Sequence, residues 1–177
     1  VAAGAKNVTH TFNAQSPLHH REIGVVGSAM LLDELNCELI ADTIHVSVPA
    51  MKLLVKNKPA NKLTLITDAM RAKGIPDGES ELGGQKVYVK NGEARLADGT
   101  LAGSVLRMNR AVQNVVEKVG VPFTQAVDYA TINPAKTLGI DKETGSIKVG
   151  KRADFTVINE NYDVLLTVRD GNVVYKA

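Results

Sequence analysis

The sequence predicts an α/β fold, and three features carry that prediction. Short apolar runs that end at an acid, Glu38 to Asp42 and Lys62 to Asp68, alternate with segments of helical periodicity. The connections between them are brief, so neighbouring strands run parallel and are joined by right-handed crossovers. After Gly145 the texture changes to short strands and turns, about thirty residues of sheet, too few to stand as a domain without partner strands.

The elements follow in chain order. Asn7 to His10 is a short β-prone piece, and a polar loop runs from Asn13 to Gly24. Val25 to Leu35 repeats apolar residues at intervals of three and four, which predicts a helix. Glu38 to Asp42 reads as a strand buried on both faces, and Pro49 to Lys56 as a helix that tolerates Pro49 in its first turn. Lys62 to Asp68 is a second buried strand.

Gly74 to Gly103 is a long excursion rich in glycine and acids, with a β-hairpin near 84–100. Alternating residues from Lys86 to Lys90 and from Glu93 to Leu96 flank Asn91-Gly92, and Asp98-Gly99 supplies another turn. Helices resume with Ser104 as N-cap and run to about Val119, then from Phe123 to Leu138 with an interruption near Asn133-Pro134. The closing strands are Gly145 to Lys151, Ala153 to Ile158 and Val164 to Tyr175, with a turn at Asp170-Gly171. Two units result, residues 1–143 and 144–177.

A net charge of +2 with both signs interspersed argues against nucleic acid or an anionic membrane as partner. The single cysteine, Cys37, lies in an apolar run and reads as a buried structural thiol; a chain without a disulfide framework fits a reducing, cytoplasmic compartment. No stretch approaches the ~18 apolar residues of a membrane span. The start, Val1 to Lys6, has neither an initiator Met nor a secretory pattern, which suggests a chain cut from a longer one.

Chemistry gathers at the carboxyl ends of strands in (β/α) barrels and open α/β sheets alike. His10 follows the first strand, Asp42 and His45 the second, and Asp68 the third. Neutral imidazole is a ready ligand for zinc or iron, and a carboxylate is a ligand or a general base. His10, His45 and Asp68 on neighbouring strands imply a shared cleft. They make a thin metal site by themselves, since a catalytic zinc normally takes three protein ligands. A second cluster, His19-His20-Arg21-Glu22, is either a solvated polar loop or an anion site in which Arg21 offers a fork matched to phosphate oxygens.

At these residues the chain resembles a known family. Thr9-His10-Thr11-Phe12-Asn13-Ala14 and Ser16-Pro17-Leu18-His19-His20-Arg21-Glu22 resemble a signature of the N-acetylglucosamine-6-phosphate deacetylases. Ile40 to Val46, Leu65 to Met70 and Gly99 to Ser104 follow in that family's order and spacing. Ala130 to Ala135 and Gly150 to Phe155 resemble elements of the wider amidohydrolase superfamily. The likeness covers essentially the whole chain, and the His-His-Arg-Glu and Thr-Asp-Ala segments are its most specific parts.

The resemblance implies the C-terminal part of a (β/α)8 barrel of the TIM type, joined to the C-terminal strands of a small β-sandwich. It implies hydrolysis of the acetamide of N-acetylglucosamine 6-phosphate to glucosamine 6-phosphate and acetate, a reaction of amino-sugar metabolism. His10 matches a metal ligand, for zinc or iron. His45 matches a histidine that contacts the sugar and polarises the amide carbonyl. Asp68 matches the acid that takes a proton from a metal-activated water and passes it to the leaving amine. Asn13, Ala14 and Arg21 match phosphate contacts, Leu101, Ala102 and Gly103 a loop that closes over the substrate, and a homodimer is implied.

Two positions depart from the family pattern: Gln15 stands where an apolar residue, often Met, is expected, and Thr43 where Gly is common. The family's other metal ligands, a Glu and a second His, belong to strands that would precede Val1. The expectation is therefore a fragment that is inactive and metal-poor alone and that self-associates through open edges. The alternatives are a non-catalytic sugar-phosphate-binding or self-associating module, and another amidohydrolase of the dihydroorotase or deaminase kind.

Overall fold

A computed structural model describes residues 1–177. Strands β1 (Asn7–Val8), β2 (Asn36–Ile40) and β3 (Leu63–Ile66) form a parallel sheet in that order. Helix α1 (Gly24–Leu31) joins the first pair, and α2 (Val48–Asn57) with a 3-10 turn at Ala60–Lys62 joins the second. The apolar runs end where the strands lose their ladder, so each acid falls just beyond the sheet.

The main core forms here. Cys37, Leu39, Ile40, Met51, Leu54 and Leu63 are fully covered, and burying each large aliphatic side chain contributes about 1.5–3 kcal/mol. Cys37 is the structural thiol expected: its Sγ lies 3.6 Å from the Ala29 carbonyl oxygen, and burial pushes its pKa up. At the opposite end of the sheet from the acids, a polar ladder fixes the register. Asn7 donates to Glu38 at 2.6 Å, Asn36 to Asn7 at 2.6 Å and Thr64 to Asn36 at 3.2 Å. Ser47 caps α2 through Ala50 N–H, with Pro49 in the first turn.

The excursion is larger than the predicted hairpin. Strands β4 (Gly78–Leu82), β5 (Gln85–Lys90), β6 (Glu93–Leu96) and β7 (Leu101–Ser104) make a four-stranded antiparallel meander. The Asn91-Gly92 turn is where it was expected, with both residues at positive φ. Val87 and Val89 point into a second small core with Met70, Ala72, Ala94 and Ala102. Strand β4, Gly-Glu-Ser-Glu-Leu, has few β-forming residues and owes its conformation to the ladder with β5.

Four sequence expectations of the fold need correction. The first helix stops at Leu31 rather than Leu35, because Leu32 turns to an extended conformation. Ser104 is the last residue of β7, not an N-cap; the next helix, α3 (Met108–Asn114), begins four residues later and runs into a π-helical turn at Val115–Val119. The long C-terminal helix breaks at Thr131, into α4 (Phe123–Ala130) and α5 (Ile132–Leu138). Thr131 sits at φ −131° and ψ −84°, and Pro134 is then tolerated in the first turn of α5. Residues 145–151 form bends and turns rather than a strand. The C-terminal sheet consists of β8 (Phe155–Ile158), β9 (Val164–Arg169) and β10 (Asn172–Lys176), antiparallel in the order β10-β9-β8. It is tied to α3 by Asn109, which donates to the Tyr162 carbonyl at 2.8 Å, and by the Arg110–Asp163 ion pair.

Candidate active site

The three parallel strands finish at one edge of their sheet, and the residue two or three positions past each carries positive φ: His10 at 35°, Thr43 at 70° and Asp68 at 47°. A non-glycine residue in this region costs about 1–2 kcal/mol, and such strain persists where the surroundings over-determine it.

Each strained residue has identifiable restraints. The loop after β1 is braced by Gln15, which accepts from Phe12 N–H at 3.0 Å and donates to the Thr9 carbonyl at 2.8 Å, on either side of His10. An apolar residue in place of Gln15 could make neither bond. Thr11 N–H donates to the Glu38 carbonyl at 2.8 Å and anchors the same loop to β2. Around Thr43, Asp42 Oδ1 accepts from both Ile44 N–H and His45 N–H at 2.8 Å. The left-handed backbone at Thr43 is one that Gly would adopt without penalty.

His45 and Asp42 form a short, covered polar contact. His45 Nδ1 lies 2.6 Å from Asp42 Oδ2, with both side chains nine-tenths covered. Burial alone would push the Asp42 carboxyl up, but the bonds from the His45 ring, His45 N–H and Ile44 N–H together hold it below the ordinary carboxylate range. The bond to Asp42 raises the His45 pKa, and burial opposes it. The charges of Asp42 and Asp68 then add to the rise, and that of Arg95 subtracts. Asp68 is thus near enough to His45 to act on it electrostatically.

Asp68 is exposed, and its backbone is stitched to β7. Ser104 N–H donates to the Asp68 carbonyl at 3.0 Å, Met70 N–H to the Ser104 carbonyl at 2.9 Å, and Ser104 Oγ to the Thr67 carbonyl. Leu101, Ala102 and Gly103 belong to strand β7 rather than to a loop, a correction whose cause is pairing with β6. Gly103 sits at φ 71°, where a side chain would be strained, and an added Cβ would be in ordinary contact, 3.7 Å from the Asp68 carbonyl oxygen and 3.4 Å from Met70 Cβ.

The loop after β1 is arranged differently from a preformed phosphate clamp. Asn13 turns its amide inward, toward the His10 and Thr11 carbonyls at 3.4 Å, and Ala14 is exposed at φ 50°. His19 and Glu22 exchange backbone hydrogen bonds of 2.9 and 3.0 Å in a tight turn. On it the exposed Arg21 lies 2.6 Å from the His20 ring, and the two histidine rings stand 4.1 Å apart. The cluster is a solvated basic turn whose hydrogen bonds stay within it.

His10 is suited to metal ligation. Its Nδ1 is buried and has no hydrogen-bond partner, so no protein group competes for that nitrogen. No group of three His, Cys, Asp or Glu side chains converges within the chain to hold an ion. These residues fit a divalent metal only as contributors to a ligand set completed by others.

The structure brings His45, Asp68 and Gly103 to one edge, with His10 on the neighbouring strand end. Three contributors had no role at the site on sequence grounds. Asp42 is signalled by its spacing of three from His45, Ser104 by its place closing Gly-Thr-Leu-Ala-Gly-Ser, and Arg95, on β6, by nothing local.

Comparison with known proteins follows the same lines. The model of the amidohydrolase family matches residues 1–174. The N-acetylglucosamine-6-phosphate deacetylase of Bacillus subtilis (strain 168) is 46% identical over 173 residues, 98% of this chain and 44% of its own length. The N-acetylgalactosamine-6-phosphate deacetylase of Escherichia coli O157:H7 is 42% identical over 162 residues, 92% of this chain and 43% of its own length. The crystal structure of the N-acetylglucosamine-6-phosphate deacetylase of Thermotoga maritima superposes with a TM-score of 0.93 at 41% identity, over 99% of this chain and 48% of that one. The chain therefore spans less than half the length of each of these three relatives. No helix is long and apolar enough to cross a membrane.

Proposed function

The chain belongs to the amidohydrolase family, and from that premise we propose that the complete protein carrying it hydrolyses the acetamide of N-acetylglucosamine 6-phosphate to glucosamine 6-phosphate and acetate. The observation that carries this reading is the placement of a covered, carboxylate-anchored imidazole, His45, within electrostatic reach of an exposed carboxylate, Asp68, at adjacent strand ends.

In this reading Asp68 accepts a proton from the attacking water and returns it to the departing amine, which makes the amine a competent leaving group. His45 donates a hydrogen bond to the amide carbonyl as negative charge develops on its oxygen. Asn13, Ala14 and Arg21 contact the phosphate, with the Asn13 amide swinging out of its turn to do so, and Leu101, Ala102 and Gly103 line the sugar. His10 is one ligand of a divalent metal, zinc or iron, that would supply Lewis-acid activation of water. Strands β1–β3 belong to a (β/α)8 barrel and β8–β10 to a small β-sandwich, both completed by residues outside the 177, in a cytoplasmic homodimer.

The test is acetate release from the complete protein loaded with divalent metal. N-acetylgalactosamine 6-phosphate is run beside the gluco sugar, because the two epimers divide the relatives at similar identity. Release from either sugar supports the amidohydrolase reading, with the faster one naming the substrate; release from neither refutes it. Residues 1–177 alone are expected to release none.

A further inference from the structure

The turn after β2 contains a carboxylate with no role in the reaction as proposed so far. Asp42 accepts three hydrogen bonds: from Ile44 N–H and His45 N–H at 2.8 Å through one oxygen, and from the His45 ring at 2.6 Å through the other. The preceding carbonyl, Ala41, is itself held at 2.9 Å by the side-chain amide of Asn114, where α3 passes into its π-helical turn. The turn is thus fastened from two sides, by its own acid and by a helix 73 residues further along the chain.

An ionised carboxylate can only accept, so the nitrogen that faces it must carry a proton. His45 Nδ1 is therefore N–H, and the neutral ring is confined to one tautomer whose other nitrogen, Nε2, bears the lone pair. On protonation Nε2 becomes a second donor. The charged groups acting on the ring are Asp42 from its own turn, Asp68 from the end of β3 and Arg95 from β6; the two acids favour the imidazolium and the arginine opposes it.

We propose that Asp42 is a positioning residue for the deacetylation: it locks His45 as the Nδ1–H form and stabilises the imidazolium whose Nε2–H is offered to the amide carbonyl. The assignment rests on the proposed function for its chemistry, but its geometric half stands apart from it. A carboxylate that merely capped the turn would need only the two backbone bonds. The ring bond is the shorter contact, and it sits where both side chains are nine-tenths covered.

The test uses the complete protein with 15N-labelled histidine, the His45 signals being identified by their loss in His45→Gln. In the wild type, the neutral ring should show a protonated Nδ1 and should titrate above an unperturbed histidine. Asp42→Asn keeps an oxygen for the two backbone donors but cannot hold a charge. It should move the His45 titration down and remove the preference for Nδ1–H.

The same variant should lower kcat for acetate release by about 10²-fold while KM stays within about threefold. In a His45→Gln background, Asp42→Asn should change kcat by less than about twofold. A wild-type neutral ring protonated at Nε2 would overturn the proposal without any variant being needed. So would Asp42→Asn with unchanged kcat, or a full additional loss in the His45→Gln background. If the wild type releases no acetate at all, the deacetylase reading fails, and the tautomer and titration still decide whether Asp42 controls His45.

Discussion

Replacing Thr43 by glycine should stabilise the protein. Thr43 is β-branched and held at φ 70°, where an L side chain pays about 1–2 kcal/mol. Glycine removes that penalty but loses about 0.5–1 kcal/mol more backbone entropy on folding. The midpoints of the two ranges leave a net gain of about 0.75 kcal/mol, or roughly 1.5–3 °C in Tm for a chain of this size. The Asp42 bonds to Ile44 and His45 run around the substituted residue and persist. Thr43→Ala is the control: it relieves the branching but not the positive φ, so it should gain less. Thermal and urea midpoints measured together would check this. A Thr43→Gly protein less stable than Thr43→Ala would refute the claim that left-handed strain at the strand end is what the residue costs.

Further expectations concern the rest of the structure. Asp42 is held low and His45 high, so their pair stabilises fully between about pH 3.9 and 6.5, the ordinary values of the two groups. That contribution fades as pH falls through the folded Asp42 value or rises through the folded His45 value; urea midpoints against pH should flatten in Asp42→Asn. Gly145→Ala would place a Cβ 2.7 Å from Ala135 Cβ at φ 82°, and should cost about 2–4 kcal/mol in urea unfolding. Residues 1–177 prepared alone should self-associate in light scattering, because Ile147 and Val149 are exposed and Val173 and Val174 lie exposed on the edge strand β10. A stable monomer would contradict that expectation.

The sequence disclosed most where a local rule operates without competition. Glu38 to Asp42 and Lys62 to Asp68 announced buried parallel strands, because a short, largely apolar run bounded by an acid has few other places to go. Asn91-Gly92 announced its turn through the positive φ that only a few residues adopt cheaply. What stayed hidden depends on partners distant in the chain. Strand β4 exists because β5 offers it a ladder. Ser104 looks like a helix cap by type, yet its hydroxyl is engaged by the Thr67 carbonyl, 37 residues away.

The site divides in the same way. His10, His45 and Asp68 were legible as strand-end residues. The Asp42–His45 bond was not read, although its spacing of three was visible, because the same spacing occurs on any exposed turn. Arg95 reaches the site only through the folding of the meander.

The most direct measurement is turnover and substrate affinity of Asp68→Asn in the complete, metal-loaded protein. Asparagine tolerates the left-handed backbone that Asp68 adopts at φ 47°, so the strand end and its bonds to Ser104 should survive. The expected result is a fall in kcat of about 10³-fold or more, with substrate affinity within about threefold of wild type. An Asp68→Asn protein that still released acetate at the wild-type rate would take the proton-carrying role away from Asp68.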